Sequence, residues 1–180
     1  MLKKYVDNRP TSACVDVEGK LTRNAFLTSR LFTIEKVEVQ ALAGYIEGGG
    51  LKGNNLRTLE HVDHQTRGGA DLFIWALDAN ITPSPWEDYK ADGESVTWLD
   101  KMKAEIVTVT NSSFTCMAGK GAKGGTLIDY FIISKALLPL IKWILAVMDA
   151  PWSPHFGLEL GLNAKPSEIL LRILVKPAMP

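Results

Sequence analysis

The chain has 180 residues, of which 46% are hydrophobic and 22% are charged, a composition that excludes an intrinsically disordered segment. Its 20 basic and 20 acidic side chains give a formal net charge of zero, which argues against a domain that binds DNA through a basic surface alone. The two cysteines, Cys14 and Cys116, are too few for a disulfide framework and match no zinc motif, so we expect free thiols.

The first 20 residues carry little periodic signal, and we expect an irregular leader there without the apolar core of a secretory signal peptide. The most apolar stretch, residues 136–148, is shorter than the ~20 residues that span a bilayer. It is also interrupted by Pro139 and Lys142. We therefore expect a buried element in this stretch, no membrane partner, and an intracellular protein of the cytoplasm or nucleus.

A strand and a short helix are predicted in the first half of the chain. Alternation over residues 37–44 predicts a strand with one well-buried face, which ends at the glycines of residues 48–50. The expected buried face consists of Val37, Val39, Ala41 and Ala43. Apolar residues at three-residue spacing predict a helix over residues 56–62, capped by Asn54 or Asn55.

The later elements predict a layered α/β domain. Residues 71–79 (DLFIWALDA) form a nearly continuous apolar run, which is typical of a central strand covered on both faces. A turn-rich loop follows, then a short helical piece around Trp98. Further strands are predicted over residues 106–110, 127–134 and 158–162, with a glycine-rich loop over residues 119–125. Strands alternating with short helices indicate one α/β domain over residues 21–165, followed by a C-terminal extension or linker over residues 166–180.

Asp78 and Asn80 stand at the exit of the predicted central strand, where α/β sheets gather their catalytic groups. The alternative is an Asx turn that merely closes the strand. Asp129 lies in an apolar strand, and a buried carboxylate is costly unless it is paired, bound to a metal or hydrogen-bonded. Alternatively, Asp129 starts the strand and caps neighbouring amides.

Histidines are the remaining candidates. His155 precedes the last predicted strand and, if paired with a buried aspartate, would suit the stabilisation of charge on phosphate oxygens. The alternative is a structural or solvent-exposed histidine. His61 and His64 lie three residues apart on the predicted helix, and we expect them on its solvated face rather than at a metal.

The order of these motifs resembles the endonuclease/exonuclease/phosphatase superfamily, which includes apurinic/apyrimidinic endonucleases and the endonuclease domains of non-LTR retrotransposons. Residues 77–80 stand where the superfamily has GDFN, and residues 128–134 (IDYFIIS) closely match its IDY-F-V-S strand. Residues 153–155 (SPH) stand where it has S-D-H, and Tyr45 falls where many members place an active-site tyrosine. The resemblance implies a DNase I-like layered α/β sandwich with two mixed β-sheets, here incomplete at the N-terminus.

The resemblance also implies roles for the candidate residues. Asp78 would orient or deprotonate the attacking water, and Asn80 would contact the scissile phosphate. His155 would donate to a phosphate oxygen while Asp129 holds it, and Tyr45 would complete the catalytic set. The cofactor implied is Mg²⁺ or Mn²⁺, with its ligands in this chain unknown.

Three departures from the superfamily pattern lead us to expect an impaired site. Pro154 replaces the aspartate of S-D-H, no Q-E motif precedes Tyr45, and the superfamily's opening strand with its asparagine is not found. Leu77 in place of the glycine of GDFN is a further, lesser change. We therefore expect a metal-dependent phosphoester hydrolase of endonuclease type, N-terminally truncated and catalytically impaired, with nucleic acid or another phosphoester as substrate. The rest of a longer polypeptide is a further expected partner.

Two other hypotheses remain open at this point. One is an active phosphoesterase whose missing ligands are replaced by local carboxylates, such as Glu47 or Asp149, or are supplied by a partner or another segment. The other is a non-catalytic structural or nucleic-acid-binding remnant of a retrotransposon-type endonuclease.

Overall fold

The computed structural model describes residues 26–34, 37–119, 123–149 and 153–163. Along the chain its elements are β1 (Phe26–Ile34), β2 (Val37–Tyr45), α1 (Asn54–Gln65), β3 (Leu72–Asp78), α2 (Ser84–Glu87), α3 (Trp98–Lys101), β4 (Ala104–Val107), β5 (Cys116–Met117), β6 (Gly125–Thr126), β7 (Asp129–Ser134), a 3₁₀ helix (Lys135–Leu140), β8 (Ile141–Val147) and β9 (Gly157–Leu162). The expected leader, the expected C-terminal extension and Cys14 lie outside the described residues.

A mixed five-stranded sheet of order β1-β2-β3-β7-β4 forms the centre of the fold. Strands β2 and β3 run parallel, whereas the other neighbouring pairs are antiparallel. The register pairs Tyr45 with Asp78 and Asp78 with Asp129. Directly paired residues of neighbouring strands point to the same face, so these three polar residues form one row across the sheet, at the end where β2 and β3 finish and β7 begins.

The central sheet is covered on both faces, which is why β3 and β7 are almost wholly apolar. One face carries Trp75 and Tyr130 and packs against the three helices. The other face carries Ile74 and Phe131 and packs against the antiparallel pair β8–β9, which contributes Ile144. Side chains alternate between the faces along a strand, so Asp78 and Asp129 belong to the face turned towards β8–β9.

Burial on β2 differs from the single buried face that alternation predicts. Val39 is buried, but Val37 and Ala43 are exposed, while Leu42 and Gly44 of the opposite face are buried. The prediction was wrong because α1 and its neighbouring helices cover the second face of this strand. Alternation in a sequence cannot show that both faces have partners.

The start of α1 also differs from its prediction. The residue before the helix is Gly53, and the structure shows no side-chain cap there. Asn55 instead bonds backbone groups of the preceding loop: its Oδ1 accepts from the Glu47 N–H, and its Nδ2 donates to the carbonyls of Glu47 and Gly50. The expected cap by Asn54 or Asn55 was therefore wrong, and Asn55 ties the chain after β2 to the helix.

The apolar stretch at residues 136–148 divides between the 3₁₀ helix and β8. Ile144 and Ala146 are buried against the central sheet, as expected of a core element. Lys142 and Trp143 face outwards, with the ammonium 5.1 Å from the ring centroid. Within the part of the chain that the structure describes, no helix is long and apolar enough to cross a membrane.

Candidate active site

Asp78 and Asn80 form a tight turn where β3 ends. The Asn80 N–H donates to Asp78 Oδ1 at 3.3 Å, and Asn80 has a φ of 50°, a left-handed conformation that asparagine tolerates. Its side-chain Nδ2 donates to the carbonyl of Ile46 at 2.8 Å, which anchors the turn to the end of β2. The Asx turn is thus present, and it fixes one oxygen of Asp78 while the other faces the site.

Asp129 begins β7 and is buried beneath the same edge. The backbone N–H groups of Ile128 and Asp129 donate to Thr115 Oγ1, at 3.1 Å and 2.8 Å. Because Thr115 takes both amides, the carboxylate of Asp129 does not serve as their cap. It remains available to accept a hydrogen bond from another side chain.

That side chain is His155. Its Nδ1 lies 3.1 Å from each carboxylate oxygen of Asp129 and 3.8 Å from Asp78 Oδ2. Two backbone hydrogen bonds hold the segment around it: the Met117 N–H donates to the Pro154 carbonyl, and the Phe156 N–H donates to the carbonyl of the residue before Cys116. The predicted contact between Asp129 and His155 is therefore present, on a segment fixed by its backbone.

Burial dominates the electrostatics of the two carboxylates. It raises the pKa of Asp129, against the opposing effects of a hydrogen bond with Thr115 and of His155. Burial likewise raises the pKa of Asp78, and the negative charge of Asp129 raises it further, while His155 and the Asn80 N–H oppose this. Because both carboxylates are partly desolvated and close to each other, a positive group beside them would stabilise their charged forms.

The site can also be tested as a metal site. Asp78, Asp129 and His155 each offer one ligand atom, all within 4.8 Å of one another. The imidazole Nδ1 already lies at hydrogen-bond distance from Asp129, so it suits a donor better than a ligand. The two carboxylates are hard oxygen donors, and one or two carboxylates with waters is the usual protein share of a Mg²⁺ site. The donor set therefore fits Mg²⁺ or Mn²⁺ through oxygen.

The expected replacement ligands do not join this cluster. Glu47 and Asp149 are both among the described residues, and neither belongs to the group of potential ligands. Pro154 is exposed and has no side-chain atom that could bind a cation. Within the described residues, the carboxylates that could bind a cation at this site are those of Asp78 and Asp129.

The other sequence candidates divide. Tyr45 is half-buried at the end of β2 and sits beside Asp78 in the register. His61 and His64 lie on α1, away from the cluster. His64 is exposed as expected, but His61 is half-buried, and burial together with the charge of His64 lowers its pKa. The expectation of a solvated face therefore fails for His61.

Sequence reasoning missed Cys116 as a member of the site. Its Sγ lies 3.7 Å from His155 Nε2, and the two residues form an isolated antiparallel bridge. Burial raises the pKa of the Cys116 thiol, and the negative charges of Asp129 and Asp78 raise it further. Nothing in the sequence around Cys116 indicated which residue its thiol faces.

No protein-family model matches the sequence, and no curated protein matches it. Solved structures do match. The endonuclease domain of TRAS1, a telomere-specific non-LTR retrotransposon, is 18% identical with a TM-score of 0.56, over 79% of this chain and 65% of that one. An endonuclease/exonuclease/phosphatase family protein from Leptotrichia buccalis is 14% identical with a TM-score of 0.58, over 83% and 59%. The 3' phosphatase NExo from Neisseria, bound to product DNA hairpin, is 16% identical with a TM-score of 0.51, over 86% and 70%.

The chain thus spans 65% and 59% of the first two of these proteins. At identities of 14–18%, a structural match shows the fold alone. One fold can carry many different functions, because function depends on the residues of the site. The structural matches agree with the architecture of this chain, in which the mixed central sheet lies between a layer of helices and the strand pair β8–β9. This chain therefore has the endonuclease/exonuclease/phosphatase-like fold, a DNase I-like layered α/β sandwich.

Proposed function

We propose that residues 21–165 form a phosphoester hydrolase domain of endonuclease type, with nucleic acid as substrate, Mg²⁺ or Mn²⁺ as cofactor and reduced activity. One observation carries the proposal. His155 Nδ1 is 3.1 Å from both oxygens of Asp129 and 3.8 Å from Asp78 Oδ2, at the edge of the sheet. This arrangement combines a proton acceptor, a donor and paired carboxylates in one place.

Each side chain has a distinct task in the proposed reaction. Asp78 accepts a proton from the attacking water, and its raised pKa suits a general base better than an ordinary carboxylate does. Asp129 holds Nδ1 of His155, so Nε2 points away from the carboxylates and is placed to donate to a phosphate oxygen. Asn80 and Tyr45 lie beside Asp78, and their role in the proposed reaction would be to contact the phosphate group.

A divalent cation held by the carboxylates would offset the charge that develops on the phosphate oxygens. The reduced activity follows from Pro154, which stands in this chain where the superfamily's motif has an aspartate. With one carboxylate fewer, Asp78 and Asp129 would hold a divalent cation less firmly, and less charge stabilisation would be available at the phosphate.

The first test measures hydrolysis of bis-p-nitrophenyl phosphate and nicking of plasmid DNA, with Mg²⁺ or Mn²⁺ and with chelator. We expect slow turnover that chelator abolishes and that falls about 10²–10⁴-fold in Asp78→Ala, as for loss of a general base. Asp92→Ala, an acidic residue in an exposed turn, is the matched control and should retain the rate. Equal rates in Asp78→Ala and the unaltered chain would overturn the proposal.

A second variant tests the reason for the reduced activity. Pro154→Asp places a carboxylate next to His155, and it should raise the metal-dependent rate and lower the Mg²⁺ concentration needed for half of that rate. Circular dichroism must show that the variant is folded. A folded variant with an unchanged rate and an unchanged Mg²⁺ requirement would show that Pro154 is not what limits the site.

Pro154 also favours a second candidate function, a non-catalytic nucleic-acid-binding remnant of a retrotransposon-type endonuclease. Such a protein would show no turnover with any divalent cation, but would bind DNA in the presence of chelator. Binding through phosphate contacts weakens steeply as salt is added, so a salt titration of the affinity distinguishes it from non-ionic adsorption.

A further inference from the structure

The thiol of Cys116 has no part in the proposed hydrolysis, yet it lies directly beside the imidazole of His155. Sγ lies 3.7 Å from Nε2, and the opposite ring nitrogen faces both carboxylate oxygens of Asp129 at 3.1 Å. His155 is 27% exposed at its side chain, and Cys116 is also only partly buried, so the pair is accessible from solvent.

The spacing of the two atoms matches that of two ligands on one tetrahedral metal ion. With Zn–S at about 2.3 Å and Zn–N at about 2.0–2.1 Å, tetrahedral ligand atoms lie about 3.6 Å apart. A histidine that binds a metal almost always has a carboxylate or carbonyl at its other ring nitrogen, which fixes the ring and makes it more basic. Asp129 occupies that position in this chain. The structure therefore contains both the spacing and the carboxylate partner.

We propose that Cys116 Sγ and His155 Nε2 form a binding site for Zn²⁺, with water in the remaining coordination positions. Binding breaks the S–H bond: the sulfur electron pair forms the Zn–S bond, the proton leaves to solvent, and no atom changes its oxidation state. A thiolate and an imidazole select Zn²⁺ over Mg²⁺, whereas the carboxylate oxygens of Asp78 and Asp129 have the opposite preference. The two kinds of cation are therefore directed to opposite sides of the same imidazole.

One consequence rests on the proposed function. Zn²⁺ at this site occupies Nε2, the nitrogen that would otherwise donate to the phosphate, so it inhibits hydrolysis by removing the donor. Inhibition by Zn²⁺ in the presence of saturating Mg²⁺ is the expected sign of this overlap.

The binding test uses Co²⁺ as a spectroscopic substitute for Zn²⁺ on the full chain. Cys14→Ser is introduced first, because Cys14 is the other cysteine of the sequence. Co²⁺ should then produce a near-ultraviolet thiolate charge-transfer band, which Zn²⁺ abolishes and excess Mg²⁺ does not. The band should be absent from Cys14→Ser/Cys116→Ser, and the Co²⁺ affinity should fall at least tenfold in Cys14→Ser/His155→Gln.

Absence of the charge-transfer band in Cys14→Ser would overturn the site, as would an equal Co²⁺ affinity after His155→Gln in a folded variant. This readout does not depend on turnover, so it stands even if no hydrolysis is found and the proposed function fails. Where hydrolysis is found, Zn²⁺ should inhibit Cys14→Ser more strongly than Cys14→Ser/Cys116→Ser, each relative to its own rate without Zn²⁺.

Discussion

At the scale of single residues, the site is a compromise between burial and charge. Asp129 is 6% exposed, and its carboxylate faces that of Asp78 across a pair of neighbouring strands. The pKa of each is raised, with burial as the main cause, so the charged form of each carboxylate is disfavoured in the folded state. Two buried carboxylates placed close together therefore lower the stability of the fold at neutral pH.

The first prediction follows from that cost. Because the folded-state pKa of Asp78 is raised, its contribution to stability is full below the ordinary carboxyl pKa of about 3.9 and is lost as pH rises through the folded-state pKa. Asp78→Asn carries no charge and retains an oxygen for the Asn80 N–H. The variant should therefore unfold at a higher temperature than the unaltered chain at neutral pH, and at the same temperature near pH 3.

Thermal unfolding monitored by circular dichroism across this pH range checks the prediction, with Asp92→Asn as the exposed control. The same Asp78→Asn protein should have lost hydrolysis, since an amide cannot accept the proton from water. Lower stability of Asp78→Asn at neutral pH would mean that attraction to His155, rather than burial, dominates the electrostatics of Asp78.

Thr115 carries a second prediction at this scale. It is fully buried, and its Oγ1 accepts from the N–H groups of Ile128 and Asp129. Thr115→Val keeps the volume but leaves both donors buried without a partner, which should cost about 1–3 kcal/mol of unfolding free energy. Thr115→Ser keeps the hydroxyl and should lose less. Denaturant titration of the two variants gives the comparison, and equal losses would show that packing of the γ-methyl group matters instead.

At the scale of elements, the short antiparallel pair β5–β6 holds the chain segment that carries His155. Strand β5 supplies Cys116, and its neighbours in the chain hold the segment of His155 through backbone hydrogen bonds. Gly125 of β6 lies so close to β5 that an added Cβ would clash with the carbonyl oxygen of Cys116. Two backbones can approach this closely because glycine lacks a side chain.

Gly125→Ala should therefore displace β5 and with it the partners of His155. We expect loss of stability together with loss of both hydrolysis and the Co²⁺ charge-transfer band. Gly124→Ala is the matched control, since an added Cβ there meets nothing within 4 Å. Thermal unfolding and Co²⁺ titration of the two alanine variants test this prediction. Identical behaviour of the two would show that close packing of β6 against β5 does not hold His155 in place.

The elements also show how far the sequence could predict this molecule. Residues 71–79 and 127–134 were predicted as buried strands because their apolar runs are nearly continuous, and both became inner strands of the central sheet. The contact between Asp129 and His155 was predicted from the resemblance to the superfamily, and the structure contains it. Cys116 was missed because its contact with His155 depends on how strand β5 packs against a segment 39 residues further along the chain, which no local spacing records.

At the scale of the whole molecule, the two faces of the central sheet have separate tasks. The helical face is packed with three tryptophans, Trp75, Trp86 and Trp98, whose ring centroids lie 5.6–6.2 Å apart. Tyr130 joins them through a hydrogen bond from the Trp86 indole. The site lies on the opposite face, at the edge next to β8–β9. Strands β3 and β7 contribute residues both to the tryptophan cluster and to the candidate site.

The last prediction uses this coupling. Asp78 and Asp129 come together only when β3 and β7 pair, so a cation that binds between them binds the folded chain and not the unfolded one. Mg²⁺ at 100 times its Kd should add about 2.7 kcal/mol to the unfolding free energy, which raises Tm by several degrees. Chelator should reverse the shift, and Asp78→Asn should show little of it although its own Tm is higher. A shift of equal size in Asp78→Asn would mean that Mg²⁺ stabilises the fold from another place, and the two carboxylates would then be a proton-transfer pair without a cation of their own.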